Sequence, residues 1–142
     1  MELHCLENKS ILITGASGFI GSFMVERALA EGMEVWAAVR PTSSRRYLTD
    51  DRIHFIELDL SDELHLQHQL EDHLKEVEGR PFDYVIHAAG ATKCRRAEDF
   101  FTINAEGTAC LALTLLGTQA LLPTGRFVFI SSLSVMGPLH ER

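Results

Sequence analysis

The sequence predicts an α/β fold, a doubly wound parallel sheet truncated after its fifth strand. Three observations carry that expectation. Strand-like apolar runs alternate with helical patterns along the chain. The runs are almost uniformly apolar, as they are when helices cover both faces of a sheet. A turn with three evenly spaced glycines joins the first run to the first helical pattern.

The elements follow in order. Lys9–Thr14, carrying Ile11-Leu12-Ile13, is the first strand. Gly18–Glu31 is a helix with Phe19, Ile20, Phe23, Met24 and Ala28 as its apolar faces, stopped by Gly32. Glu34–Val39 is the second strand, and Pro41-Thr42-Ser43-Ser44 is loop by composition. Ile53–Leu58 is the third strand. Asp62–Glu78 is an amphipathic helix with Leu66, Leu70, Leu74 and Val77 at helical spacing, ended by Gly79. Tyr84–His87 is the fourth strand, Glu98–Leu116 a long apolar helix and Phe127–Ser131 the fifth strand. No repeat, low-complexity tract or linker divides the chain, so residues 1–142 form one domain.

Composition narrows the function. The 142 residues suffice for a core, and 46% apolar with 23% charged residues is ordinary for a globular protein. A net charge of −7 argues against nucleic acid or an anionic membrane as partner, because both need excess Lys and Arg. No uninterrupted apolar run approaches the roughly 18 residues that span a bilayer, and the N-terminus lacks the pattern of a secretion signal. Cys5, Cys94 and Cys110 are odd in number and far apart, which suits reduced thiols in a cytoplasm rather than a disulfide framework or zinc site.

Thr14-Gly15-Ala16-Ser17-Gly18-Phe19-Ile20-Gly21 carries the most chemistry. Gly15 suits the tight strand-to-helix turn, Gly18 a close backbone approach to a pyrophosphate, and Gly21 close helix–strand packing. The helix that starts here aims free N–H groups and its positive dipole end at phosphates. Ser17, Phe19 and Ile20 belong to the same cofactor-binding turn. The Gly-x-x-Gly-x-x-Gly spacing, with Thr14 and the Phe19-Ile20 pair, resembles the extended short-chain dehydrogenase/reductase family, which includes NAD-dependent epimerases and dehydratases. The resemblance implies a Rossmann-type domain with strand order 3-2-1-4-5 and a nicotinamide dinucleotide cofactor. It also implies catalysis by a Ser with a Tyr-x-x-x-Lys pair. No Tyr-x-x-x-Lys occurs in the chain. The sequence is therefore read as the N-terminal cofactor half of a longer protein, inactive alone, with later strands and a substrate domain beyond it.

Further residues take roles on that resemblance. Arg40 ends the second strand where NAD-binding relatives carry an acid for the ribose hydroxyls; it can bond a 2′-phosphate instead, with Arg45 and Arg46 nearby in a flexible loop. This favours NADP, with NAD possible. Asp59 and Leu60 follow the third strand, where relatives bind adenine; Ser61 and Asp62 beside them are helix-start residues. Ala88, Ala89 and Gly90 resemble the fourth-strand motif that lets backbone pass close to ribose. His87 and Asn104 are read as supporting groups. Phe129-Ile130-Ser131-Ser132-Leu133-Ser134-Val135-Met136-Gly137 resembles the Ser-Ser-x-x-Val-Tyr-Gly segment and makes Ser132 the catalytic serine. Met136 departs from the usual aromatic residue. Lys93, Arg95 and Arg96 read as a solvated loop, and His65, His68 and Asp72 as a polar helix face without metal.

The Val39-Arg40 ending resembles the dihydroflavonol-reductase-like branch, which implies carbonyl/alcohol redox chemistry on a small molecule. A nucleotide-sugar epimerase or dehydratase using NAD shares these motifs, and a silent dinucleotide sensor would retain them too. An edge left bare by truncation invites self-association.

Overall fold

The computed structural model describes residues 3–132. Five parallel strands form one sheet in the order β3-β2-β1-β4-β5: β1 Ser10–Thr14, β2 Glu34–Val39, β3 His54–Glu57, β4 Phe82–His87 and β5 Leu121–Phe129. This is the order expected from the sequence. Alternation along each strand divides the core between two faces. Ile11, Ile13, Val35, Ala37 and Val39 point to one side, against Val25, Ala28 and Leu29 of helix α1, Phe19–Ala30. Leu12, Trp36, Ala38 and Val85 point to the other. There they meet Leu66 and Leu70 of α2, Glu63–Glu76, and Leu111 and Leu115 of α3, Ala97–Gly117.

The seating of α1 departs from the sequence reading. Phe19, Ile20 and Phe23 are 79%, 49% and 58% exposed. The buried face is instead Gly21, Val25, Ala28 and Leu29. Gly21 is the cause: its bare Cα presses against the turn before the helix, and that contact fixes the rotation. Positions four, seven and eight residues on must then face the sheet.

Helix α2 starts where Asp62 accepts a bond from His65 N at 3.0 Å, an N-cap that satisfies one free amide. Helix α3 is not one regular helix. A π-helical turn, Thr102–Glu106, separates Ala97–Phe101 from Gly107–Gly117. Its most apolar 18-residue window has a mean hydropathy of 1.3, so by length and composition alone the 21-residue helix would be long enough to cross a membrane. Leu111 and Leu115 are nevertheless fully buried against the sheet.

Strand β5 begins at Leu121, before the expected Phe127. Phe82 pairs with Leu121 and Tyr84 with Arg126, so Leu122–Gly125 bulge out of register. Pro123 is tolerated because β5 ends the sheet, among the described residues, and its missing N–H breaks no ladder bond. The segment after β2 makes packing contacts with the fold. Leu48 is 4% exposed, and the Arg45 guanidinium lies 4.2 Å from the Phe55 ring centroid.

Candidate functional site

Parallel strands bring all their carboxyl ends to one edge, where the predicted site residues gather. The turn after β1 is built by backbone contact. Gly15 has φ +66°, and a Cβ there would lie 2.6 Å from the Ala88 carbonyl and the Ala89 nitrogen. A Cβ at Gly21 would lie 2.0 Å from the Gly15 oxygen. Gly18 is less constrained: its Cβ would meet only that oxygen, at 3.3 Å. Gly18 N–H donates to Gly15 O at 3.0 Å, closing the turn.

Gly18 is also the N-cap of α1. It brings no side-chain bond to the first-turn amides, and no acidic residue lies in that turn. The first-turn amides thus have no side-chain cap and no acidic neighbour within that turn, at the positive end of the helix dipole. Such a terminus suits a phosphate group, and the open side of Gly18 gives a pyrophosphate room to approach. The residues fit a dinucleotide. Ser17 is half-buried beside them.

Ala88 N–H donates to Thr14 O at 3.2 Å, which holds Ala88-Ala89-Gly90 against the turn. Asn104 sits in the π turn. Its Oδ1 accepts from Ala91 N–H at 2.7 Å, and its Nδ2 donates to Ala91 O at 3.0 Å. His87 is 1% exposed, with Nδ1 2.6 Å from Thr14 Oγ1 and Nε2 2.9 Å from Thr108 Oγ1. Burial lowers its pKa. Thr14 and Thr108 were not singled out as site residues. A threonine closing β1 and another four residues after Asn104 were the available signals.

The other predicted residues stand at neighbouring strand ends. Arg40 is exposed after β2, its amide donating to Ser43 Oγ at 2.9 Å. The Asp59 carboxylate accepts from Ser61 N and Oγ at 3.0 and 2.5 Å, bonds that lower its pKa, with His65 3.5 Å away. Leu60 contacts the bare Cα face of Gly107, where its carbonyl oxygen would lie 3.6 Å from an added Cβ. Ser132 is exposed beyond β5. Ser134, Val135, Met136 and Gly137 lie outside the described residues. His65 pairs with Asp59 and Asp72 with Lys75. Among the described residues no group of His, Cys, Asp and Glu is arranged to hold a metal.

A cleft of about 380 Å³ lies elsewhere, lined by Asn8, Glu34, Arg52, His54 and Arg80 among others. It opens at the amino ends of β2 and β3. Its two arginines are already paired, Arg52 with Asp50 and Arg80 with Glu34. The strand ends differ from it in carrying the uncapped first turn of α1.

Comparison with known proteins gives a consistent result. Residues 11–142 match the NAD dependent epimerase/dehydratase family. The chain is 30% identical over 155 residues to a UDP-glucose 4-epimerase of Mus musculus, covering 94% of this chain and 42% of that protein. It is 51% identical over 41 residues to a bifunctional dihydroflavonol 4-reductase/flavanone 4-reductase of Pyrus communis, covering 28% of this chain and 12% of that one. A short-chain dehydrogenase/reductase from Serratia marcescens superposes with a TM-score of 0.73 at 19% identity, covering 92% of this chain and 58% of that one; at that identity it speaks for the fold. The chain thus spans less than two thirds of these relatives.

Proposed function

The chain belongs to the NAD dependent epimerase/dehydratase family, and on that premise we propose that it is the NADP-binding half of an enzyme interconverting a small-molecule carbonyl and alcohol. Arg40 carries the choice of cofactor. It closes β2 with a guanidinium where an acid would hold the ribose hydroxyls of NAD, and a charge-assisted bond to a 2′-phosphate takes the acid's place. Gly15, Ser17, Gly18, Phe19, Ile20 and Gly21 bind the pyrophosphate. Asp59 and Leu60 bound the adenine, and Ala88, Ala89 and Gly90 the ribose.

When bound, the cofactor supplies or receives the hydride. The Ser132 hydroxyl hydrogen-bonds the reacting oxygen, and a Tyr-x-x-x-Lys pair elsewhere in the protein moves the proton. The free cysteines suit a cytoplasmic location. A second reading, epimerase or dehydratase chemistry on a nucleotide sugar with NAD, is favoured by the likeness to UDP-glucose 4-epimerase over most of the chain.

Calorimetric titration separates the two. NADPH should bind more tightly than NADH, and Arg40→Ala should remove about 1.5–3 kcal/mol from NADPH binding only. Equal affinities before and after the substitution would remove Arg40 from the site and return the reading to NAD.

A further inference from the structure

A ring of six residues links the glycine turn, the end of β4 and the π turn of α3, and its hydroxyl and imidazole bonds run in one direction. The Thr108 hydroxyl has one proton and donates it to the Asn104 carbonyl at 2.6 Å. A carbonyl only accepts, so that direction is fixed. His87 Nε2, 2.9 Å from the same hydroxyl, must then be a donor. A neutral imidazole carries a single N–H, which makes Nδ1 the acceptor. The Thr14 hydroxyl, 2.6 Å away, donates to Nδ1 and accepts from Ala89 N–H at 3.3 Å. The Asn104 amide closes the ring through its two bonds to Ala91.

Among the described residues, the groups recorded against the imidazole are uncharged. They are Thr14 of β1, Thr108 of α3, and Phe127 and Phe129 of β5, whose ring centroids lie 6.1 and 5.8 Å away. With no anion recorded beside it among the described residues, burial favours the neutral ring.

We infer that His87 is a positioning residue: held as the Nε2–H tautomer between Thr14 and Thr108, it fixes the Ala88-Ala89-Gly90 backbone against the glycine turn and so sets the shape of the nucleotide-binding surface. Gly15 has no clearance from Ala88 and Ala89, so a shift at the end of β4 passes directly to the turn. The inference rests on the dinucleotide-binding reading above for its effect on affinity, but not for the tautomer.

Two measurements test it. In ¹⁵N-resolved spectra of the histidine rings, Nδ1 of His87 should show the shift of an unprotonated nitrogen and Nε2 that of a protonated one. An Nδ1–H tautomer overturns the inference. This readout needs no ligand, so it stands even if the chain binds neither NADPH nor NADH, an outcome that would sink the functional reading instead. In titrations, His87→Leu keeps apolar volume but breaks both bonds, and should weaken NADPH binding about tenfold. His87→Asn, whose amide oxygen can still accept from Thr14, should recover most of that loss. Thr14→Val should add little to His87→Leu, because both cut one chain. A folded His87→Leu that binds within twofold of the parent overturns the inference. Should that variant not fold, Thr108→Val severs the ring on the other side, and full affinity there overturns it equally.

Discussion

Alanine at Gly21 should damage the fold far more than alanine at Gly18, although both glycines belong to one motif. A Cβ at Gly21 would lie 2.0 Å from the Gly15 oxygen, 2.7 Å from its carbonyl carbon and 2.9 Å from Ala16 Cα. All three are backbone atoms, so none can swing aside. Non-bonded contacts sit at about 3.5 Å, so α1 would have to withdraw by about 1.5 Å. That movement loosens Val25, Ala28 and Leu29, the residues that seat α1 on the sheet. Overpacking costs about 1–3 kcal/mol, and rigid neighbours place this case at the top of that range. The better helix propensity of alanine returns up to about 1 kcal/mol. A net loss of about 2 kcal/mol should lower Tm by about 6 °C for a domain this size. At Gly18 the nearest atom is 3.3 Å away and φ is an ordinary −80°, so the shift should stay within about 2 °C. Thermal melts followed by circular dichroism compare the two. Equal shifts, or a Gly21→Ala variant as stable as the parent, would refute backbone contact as the determinant of the helix seat. Gly18→Val should separate the roles further, staying folded while losing dinucleotide binding.

Two more outcomes follow. His73 and His87 are 4% and 1% exposed, and burial lowers both pKa values below 6.5. The fold therefore prefers them neutral: their stabilisation is complete above pH 6.5 and drains as pH falls from there toward the folded-state values, at up to about 1.4 kcal/mol per pH unit each. Urea melts at pH 7.5, 6.5 and 5.5 should show this, with His73→Leu reducing the slope; a flat profile would contradict it. Around the β5 edge, Val128, Phe129, Leu113 and Leu116 are 45%, 49%, 64% and 67% exposed, so the 142-residue chain should form dimers or larger species. Light scattering after size exclusion measures this, and a clean monomer at high concentration is the contrary result.

Strand positions and the glycine turn were legible because their signals are local: an apolar run, and glycines whose spacing reflects backbone contacts. The rotation of α1 was not. Phe19 and Phe23 look like core residues, and only the missing side chain at Gly21 says which face turns inward. The start of β5 was hidden because Pro123 and Gly125 read as turn residues, yet a bulged edge strand accommodates them. The π turn has no pattern of its own. His73 fits the helical spacing of Leu66 and Leu70, but its polar ring masked a place between Trp36 and Phe82, with centroids 4.4 and 4.8 Å away. Arg40 and Asp59 could be placed at strand ends from sequence, but whether Asp59 is already engaged, by Ser61, needed coordinates.

The two faces of the core differ in how much chain they need. Among the described residues, every buried member of the α1-side cluster lies between Ile11 and Ile53. The opposite side draws on Leu12, then on residues as late as Leu115 and Ala120. A ribosome delivering the chain from its N-terminus therefore supplies most of one apolar layer by Ile53, with Tyr84 and Ile86 of β4 added later. The other layer must wait for α3. During that interval α2 supplies Leu66 and Leu70, but Leu111 and Leu115 of α3 are still missing from that face, and the nascent sheet presents part of it to solvent or to a chaperone. The same asymmetry orders the finished protein: opening that begins at α3 can expose the second layer while the first stays closed, so amide exchange should divide along the plane of the sheet rather than along the sequence.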